Sequence, residues 1–106
     1  MARFRIAVLR LNGSSARIEA LDKALDRAAQ TDLVVLDLFQ AHSLSAPVVR
    51  ALHDFPNRMR IVGANCHMRR ILRISGLEER FPVIERSVPL CPPSTHPGID
   101  YAELAL

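Results

Sequence analysis

Long apolar runs, cysteines, aromatic residues and lysines are all scarce in this 106-residue chain. No apolar stretch approaches the roughly 20 residues that span a bilayer, and arginines interrupt the N-terminus where a leader needs its apolar core. Neither direct membrane insertion nor a secretory signal is therefore expected, and a cytoplasmic location is. The two cysteines, Cys66 and Cys91, are too few for a disulfide framework and lack C-x-x-C spacing. Four Phe and one Tyr leave little on which nucleic-acid bases could stack. Lys23 is the one lysine among 14 basic residues, which 11 acidic residues reduce to a net charge of +3. That is enough for solubility and well short of a nucleic-acid-binding tail. Gly13 and Gly63 are isolated, so neither G-x-G-x-x-G nor the phosphate-loop spacing occurs.

What is present is globular. About half the chain (49%) is apolar and a quarter (24%) charged, which excludes disordered and fibrous classes, and the length fits one domain. In Phe4-Arg5-Ile6-Ala7-Val8-Leu9-Arg10-Leu11, Phe4, Ile6 and Val8 alternate with Arg5 and Ala7 before apolar residues occupy both parities. This predicts a strand entering the sheet centre. Asn12-Gly13-Ser14-Ser15 is a turn whose serines suit a helix cap. From Ser15 to Gln30, Ile18, Leu21, Leu25 and Ala28 recur at helical spacing.

Leu33-Val34-Val35-Leu36-Asp37-Leu38 suits a strand buried on both faces, as in parallel sheets. A connector from Phe39 to Leu44 then leads to a helix from Ala46 to about Asp54. Ser45 is placed to cap that helix, and Pro47 falls in its first turn. Met59 to Ala64 reads as a third strand. Asn65 caps a helix carrying Met68, Ile71, Leu72 and Ile74, which Gly76 closes. Phe81-Pro82-Val83-Ile84 reads as an edge strand. Residues 1–87 form the domain, and the prolines from 88 onward (Pro89, Pro92, Pro93, Pro97) mark residues 88–106 as a loosely held tail with a short helical turn at Tyr101–Leu106. The expected class is α/β, with a mostly parallel or mixed sheet of about four strands and helices packed on it.

Taken in order, these segments resemble the STAS domain, a family named after sulphate transporters and anti-sigma factor antagonists. Val35-Leu36-Asp37-Leu38, the connector and Arg50-Ala51-Leu52 look like its centre. Arg60-Ile61-Val62-Gly63-Ala64-Asn65, Met68-Arg69-Arg70-Ile71-Leu72 and Ser75-Gly76-Leu77 through Phe81-Pro82-Val83 look like its third strand, the following helix, the Gly-Leu closure and the Phe-Pro approach to the last strand. Leu9-Arg10-Leu11-Asn12-Gly13 is similar to its early strand and turn. The likeness covers about residues 4–85. It implies a non-catalytic module that regulates transcription by binding an anti-sigma factor or serine switch kinase. Two further roles occur in the family: an accessory subunit bound to the ATPase of a membrane lipid transporter, and a small-ligand or nucleotide sensor. Self-association into a homodimer is left open.

The chain departs from the family where the second helix begins. Typical antagonists carry Asp-Ser-Ser-Gly or Asp-Ser-Thr-Gly there, the first hydroxyl being phosphorylated. An ungapped match lays Ser45-Ala46-Pro47-Val48 on those positions. The acceptor position is then Ala46, which has no oxygen to modify. Ser45 reaches it only through a compensating gap. The N-terminal strand that usually opens the family is nearly absent. The resemblance implies docking through Asn12, Gly13, Ser14 and Ser15, through His42, Ser43, Ser45, Ala46 and Pro47, and through Val49 and Arg50 on the second helix, with Val49 alternatively in the core.

Other chemistry carries less. Ser45 as an ordinary N-cap contributes about 1 kcal/mol, and His42 and Ser43 equally suit a solvated loop. Cys66 in a first helical turn admits a redox role, but a buried or half-buried small residue is the commoner meaning of a lone cysteine. Cys66, His67, Cys91 and His96 match no structural zinc spacing. Arg58, Arg60, Arg69, Arg70 and Arg73 read as a solvated helix face rather than a phosphate-binding patch, because Glu78, Glu79 and Glu85 lie close in sequence. No nucleic acid, metal or cofactor is expected, and no constellation argues for catalysis.

Overall fold

The computed structural model describes residues 4–12, 18–41, 44–84 and 98–105. Along the chain run β1 (Arg5–Asn12), α1 (Ile18–Ala28), β2 (Leu33–Asp37), α2 (Ala46–His53), β3 (Met59–Val62), α3 (Cys66–Ile74), α4 (Leu77–Arg80), β4 (Val83–Ile84) and β5 (Gly98–Ala105). The strands form one sheet in the order β4-β3-β2-β1-β5. The first four are parallel to one another, and β5 is antiparallel to β1.

Strands β1 to β4 are laid down in a single direction across the sheet. Right-handed crossovers therefore place the connecting helices on one face. Ala7, Leu9 and Leu11 of β1, Val34 and Leu36 of β2, and Met59 and Ile61 of β3 meet them there and form the core. The core parity of β1 is thus the odd one. Ile6 and Val8 belong to the opposite face, and Phe4 just before the strand is exposed. Strand β2 is apolar on both faces because it lies between β1 and β3.

Each helix follows from its sequence. Leu21, Leu25 and Ala28 are the buried stripe of α1. The side chain of Asn65 accepts a hydrogen bond from the Met68 N–H at 2.8 Å, which caps α3 as its sequence predicts. Gly76 follows α3 in the left-handed conformation (φ 83°), and starts the four-residue α4, a turn the periodicity does not reveal.

The C-terminal reading needs correction. Residues 101–105 are extended, not a helical turn, and β5 gives the sheet five strands where about four were expected. Ile99 and Tyr101 pack against the core, opposite Leu11 and Leu9. The Arg27 guanidinium lies 4.7 Å from the centre of the Tyr101 ring. On the same edge the Tyr101 hydroxyl donates to Glu103 at 2.7 Å, and Arg5 donates to Glu103 at 2.9 Å. Residues 88–97 lie outside the described residues.

Partial burial, then the Glu103 carboxylate, favours the neutral phenol, and the Tyr101 pKa is pushed up to about 12 from its usual 10. The stabilisation this provides is complete below pH 10 and is lost as pH rises through 12. Because Tyr101 is the chain's one tyrosine, tyrosinate absorbance reports on it alone. We expect a midpoint near 12 for the native protein and near 10 in urea. A native midpoint near 10 would mean that β5 does not hold its place.

Candidate functional site

The connector that leads to α2 is anchored where it leaves β2. The Leu38 N–H donates to the Val62 carbonyl at 2.8 Å, and the Phe39 N–H donates to the buried carboxylate of Asp37 at 2.9 Å. Gly63, at the end of β3, adopts φ 77° directly against this turn. A Cβ at that position would stand 2.7 Å from the Phe39 nitrogen and 3.0 Å from its Cα. Leu38, Ala41 and Leu44 are buried beneath the connector. His42 and Ser43 lie outside the described residues, as do Gly13, Ser14 and Ser15.

Ser45 occupies the N-cap position in extended conformation, and its carbonyl accepts from the Val49 N–H at 3.0 Å. Its side chain, however, makes no capping hydrogen bond, so the stabilisation expected of a serine cap is not realised. Pro47 is the second helical residue, where no N–H is needed. Val48 and Leu52 point into the core, while Ala46, Arg50, His53 and Asp54 are exposed. Val49 is half-buried and serves both surfaces: it packs against the core and lines the groove described next.

Ala46, Arg50 and Asp54, four residues apart, form a ridge with a groove on either side. The larger, about 630 Å³, lies between α2 and α3 and adds Leu44, Val49, His53, Ile71, Ile74 and Ser75. The smaller, about 310 Å³, lies towards α1 and adds Ile18, Asp22, Pro47 and Ala51. Two lining residues of the larger groove are joined across it, with His53 Nε2 2.8 Å from the Ser75 carbonyl, and Arg80 donates to the carbonyls of His53 and Phe55. Ile74 is 79% exposed, so it is a groove residue rather than the core residue its helix stripe suggested. Its place two positions beyond Leu72, on the other side of α3, was the available signal. His53, Ile71 and Ser75 belong to the groove without any sequence feature marking them.

Several expectations are corrected. Asn12 is only 4% exposed, and its amide donates to Asp100 at 3.1 Å, so it secures β5 instead of facing a partner. Cys66 is exposed, not buried, and so is its neighbour His67. Cys91 and His96 lie outside the described residues. The arginines expected on one solvated helix face divide between two places, since Arg60 belongs to β3 and Arg58 precedes it. Arg69 and Arg73 flank Glu78 at 3.8 and 3.7 Å and join α3 to α4. Arg58 and Arg60 border a separate recess beside Arg80. No helix among the described residues is long and apolar enough to cross a membrane.

No protein-family model matches the chain, and no curated protein matches it in sequence. Its structure is similar to the crystal structure of an anti-sigma factor antagonist from Mycobacterium paratuberculosis. The TM-score is 0.61 at 20% sequence identity, over 74% of this chain and 75% of that one. The likeness establishes a shared fold: the mixed α/β architecture expected from the STAS resemblance is the one found.

The Gly63 contact fixes the connector and thereby the start of α2. Gly63→Ala combines a left-handed alanine with displacement of the Phe39 backbone, and should cost about 3 kcal/mol. Gly76→Ala meets only the His53 side chain, at 3.7 Å, and should cost about 1 kcal/mol from its backbone conformation alone. Urea unfolding midpoints at unchanged m-value measure both. Equal losses would remove the steric argument.

Proposed function

We propose that this chain is a non-catalytic interaction module of the anti-sigma-antagonist type, which regulates transcription in the cytoplasm by binding an anti-sigma factor or switch kinase. Binding runs through the Ala46–Arg50 ridge of α2 and the grooves beside it, without control by phosphorylation. The observation that carries this reading is the exposed ridge with its apolar flank. Val49, Ile71 and Ile74 offer a partner desolvation energy, and Arg50 and His53 supply polar rim contacts. The named role of the structural neighbour supports it.

The chemistry of the helix start supports the absence of a switch. A phosphate there would bring up to two negative charges to a helix N-terminus. Ala46 provides no oxygen to carry it, and Pro47 removes a backbone donor that could hold it. What is left is recognition by shape and apolar contact.

Ala46→Glu tests the surface without endangering the fold, because a carboxylate is favoured in the first helical turn and position 46 is exposed. The wild-type domain, used as bait in its host lysate, should retain a kinase-like anti-sigma factor. Ala46→Glu should lose it while keeping its circular dichroism. Intact mass should not change after incubation with that kinase and ATP. Unchanged capture by Ala46→Glu would place the interface elsewhere, and stoichiometric phosphorylation at Ser43 or Ser45 would overturn the unswitched reading. Recovery of a transport ATPase instead would favour the accessory-subunit role, and saturable heat on titration with nucleotide would favour the sensor.

A further inference from the structure

The two edges of the sheet are unlike. Strand β4 is two residues long and follows Pro82, which is how natural sheets blunt an edge. Strand β5 is eight residues long, contains no proline or lysine, and pairs with β1 without a bulge from Gly98 to Ala105. Its residues from Ala102 to Ala105 are exposed.

The direction of its free backbone groups follows from the register. The Arg5 carbonyl accepts from the Asp32 N–H, just ahead of β2. Odd residues of β1 therefore turn their backbone groups towards β2, and even residues turn theirs towards β5. Facing residues in an antiparallel ladder share this sense. Gly98, Asp100, Ala102 and Leu104 are accordingly directed at β1. Ile99, Tyr101, Glu103 and Ala105 direct N–H and C=O outward, and among the described residues no strand meets them.

We infer that β5 pairs with β5 of a second copy of this chain, antiparallel, about a two-fold axis at Ala102. This register sets Ile99 against Ala105 and Tyr101 against Glu103 of the other copy, so every outward backbone donor and acceptor finds its complement. The side chains agree with it. Asp100 faces Leu104, and Glu103 faces Tyr101, so no two carboxylates oppose each other. Centring the axis on Glu103 sets carboxylate against carboxylate. Centring it on Tyr101 puts Ala105 beyond the end of the partner strand. The inference does not rest on the proposed function, because β5 shares no residue with the α2 ridge or its grooves.

The register makes a specific cross-link. Ala102 faces its own copy in a non-hydrogen-bonded pair, with Cα atoms about 4.5 Å apart, within disulfide reach. The two Leu104 residues lie four positions out of register, about 14 Å apart. In a Cys66→Ser, Cys91→Ser background, Ala102→Cys should form a disulfide-linked dimer on mild oxidation, and Leu104→Cys should not. The wild-type chain should sediment as a dimer. Glu103→Pro, which removes an outward N–H at an edge that tolerates proline, should sediment as a monomer with its circular dichroism kept. Should loss of the Arg5 contact unfold Glu103→Pro, the cysteine pair still decides. A monomeric wild type at all concentrations would overturn the inference, as would equal cross-linking at 102 and 104.

Discussion

The three crossovers that link β1 to β4 step the same way across the sheet, and most of the molecule follows from that constraint. Right-handed connections taken in one direction place α1, α2 and α3 in a single layer, leaving α2 in the middle with a groove on each side. The inner face of α2 is committed through Val48 and Leu52, so its outer ridge is fixed by the core beneath it. The same constraint pushes β4 to one end of the sheet and leaves the far side of β1 to be covered from elsewhere. Strand β5 supplies that cover from the other end of the chain.

A short polar row crosses the face of the sheet opposite the helices. Arg10 faces Asp37 on one neighbouring strand and Asp100 on the other. It is 5% exposed, and its Nη1 lies 3.9 Å from Asp100. Asp37, 1% exposed, is turned to the Phe39 N–H. Ion pairs of this kind contribute modestly to stability once desolvation is counted. Their stronger consequence is register. Sliding β5 by one residue would set Arg10 against Ile99 or Tyr101 and turn the apolar residues of β5 away from the core. The polar row and the Arg5–Glu103–Tyr101 contacts therefore favour the same alignment from the two ends of β1.

This also shows which parts of the fold were legible in the sequence. The first four strands and three main helices are marked by their apolar runs, spacing and turn residues, and Asn65 and Gly76 mark the bounds of α3 as cap chemistry requires. Strand β5 does not announce itself. Alanine, glutamate and leucine between 102 and 105 favour a helix, and the pairing with β1 overrides that preference. The faint signal was long-range: Ile99 and Tyr101 alternate, and Asp100 and Glu103 complement Arg10 and Arg5. The site was legible in part. Ala46, Val49 and Arg50 could be placed on an exposed helix by alignment with their neighbours. The opposite wall, Ile71 to Ser75, could not, since only the packing of α2 against its neighbours shows that Ile74 borders a groove. Asn12 misled because the end of a strand reads as a turn until the partner strand that occupies its amide is known.

The proposed β5 pairing and the proposed α2 docking surface are compatible in geometry. A two-fold axis perpendicular to the sheet keeps both helix layers on the same side, and the β5 edge lies beyond β1, away from the α2–α3 groove. A dimer formed through β5 would therefore present two α2 ridges side by side, facing one direction. Two weak contacts to a partner that is itself dimeric then act as one stronger contact, because the second binds at the effective concentration set by the first. The strength of such a contact would then follow the concentration of the chain itself, which sets how much of it is paired.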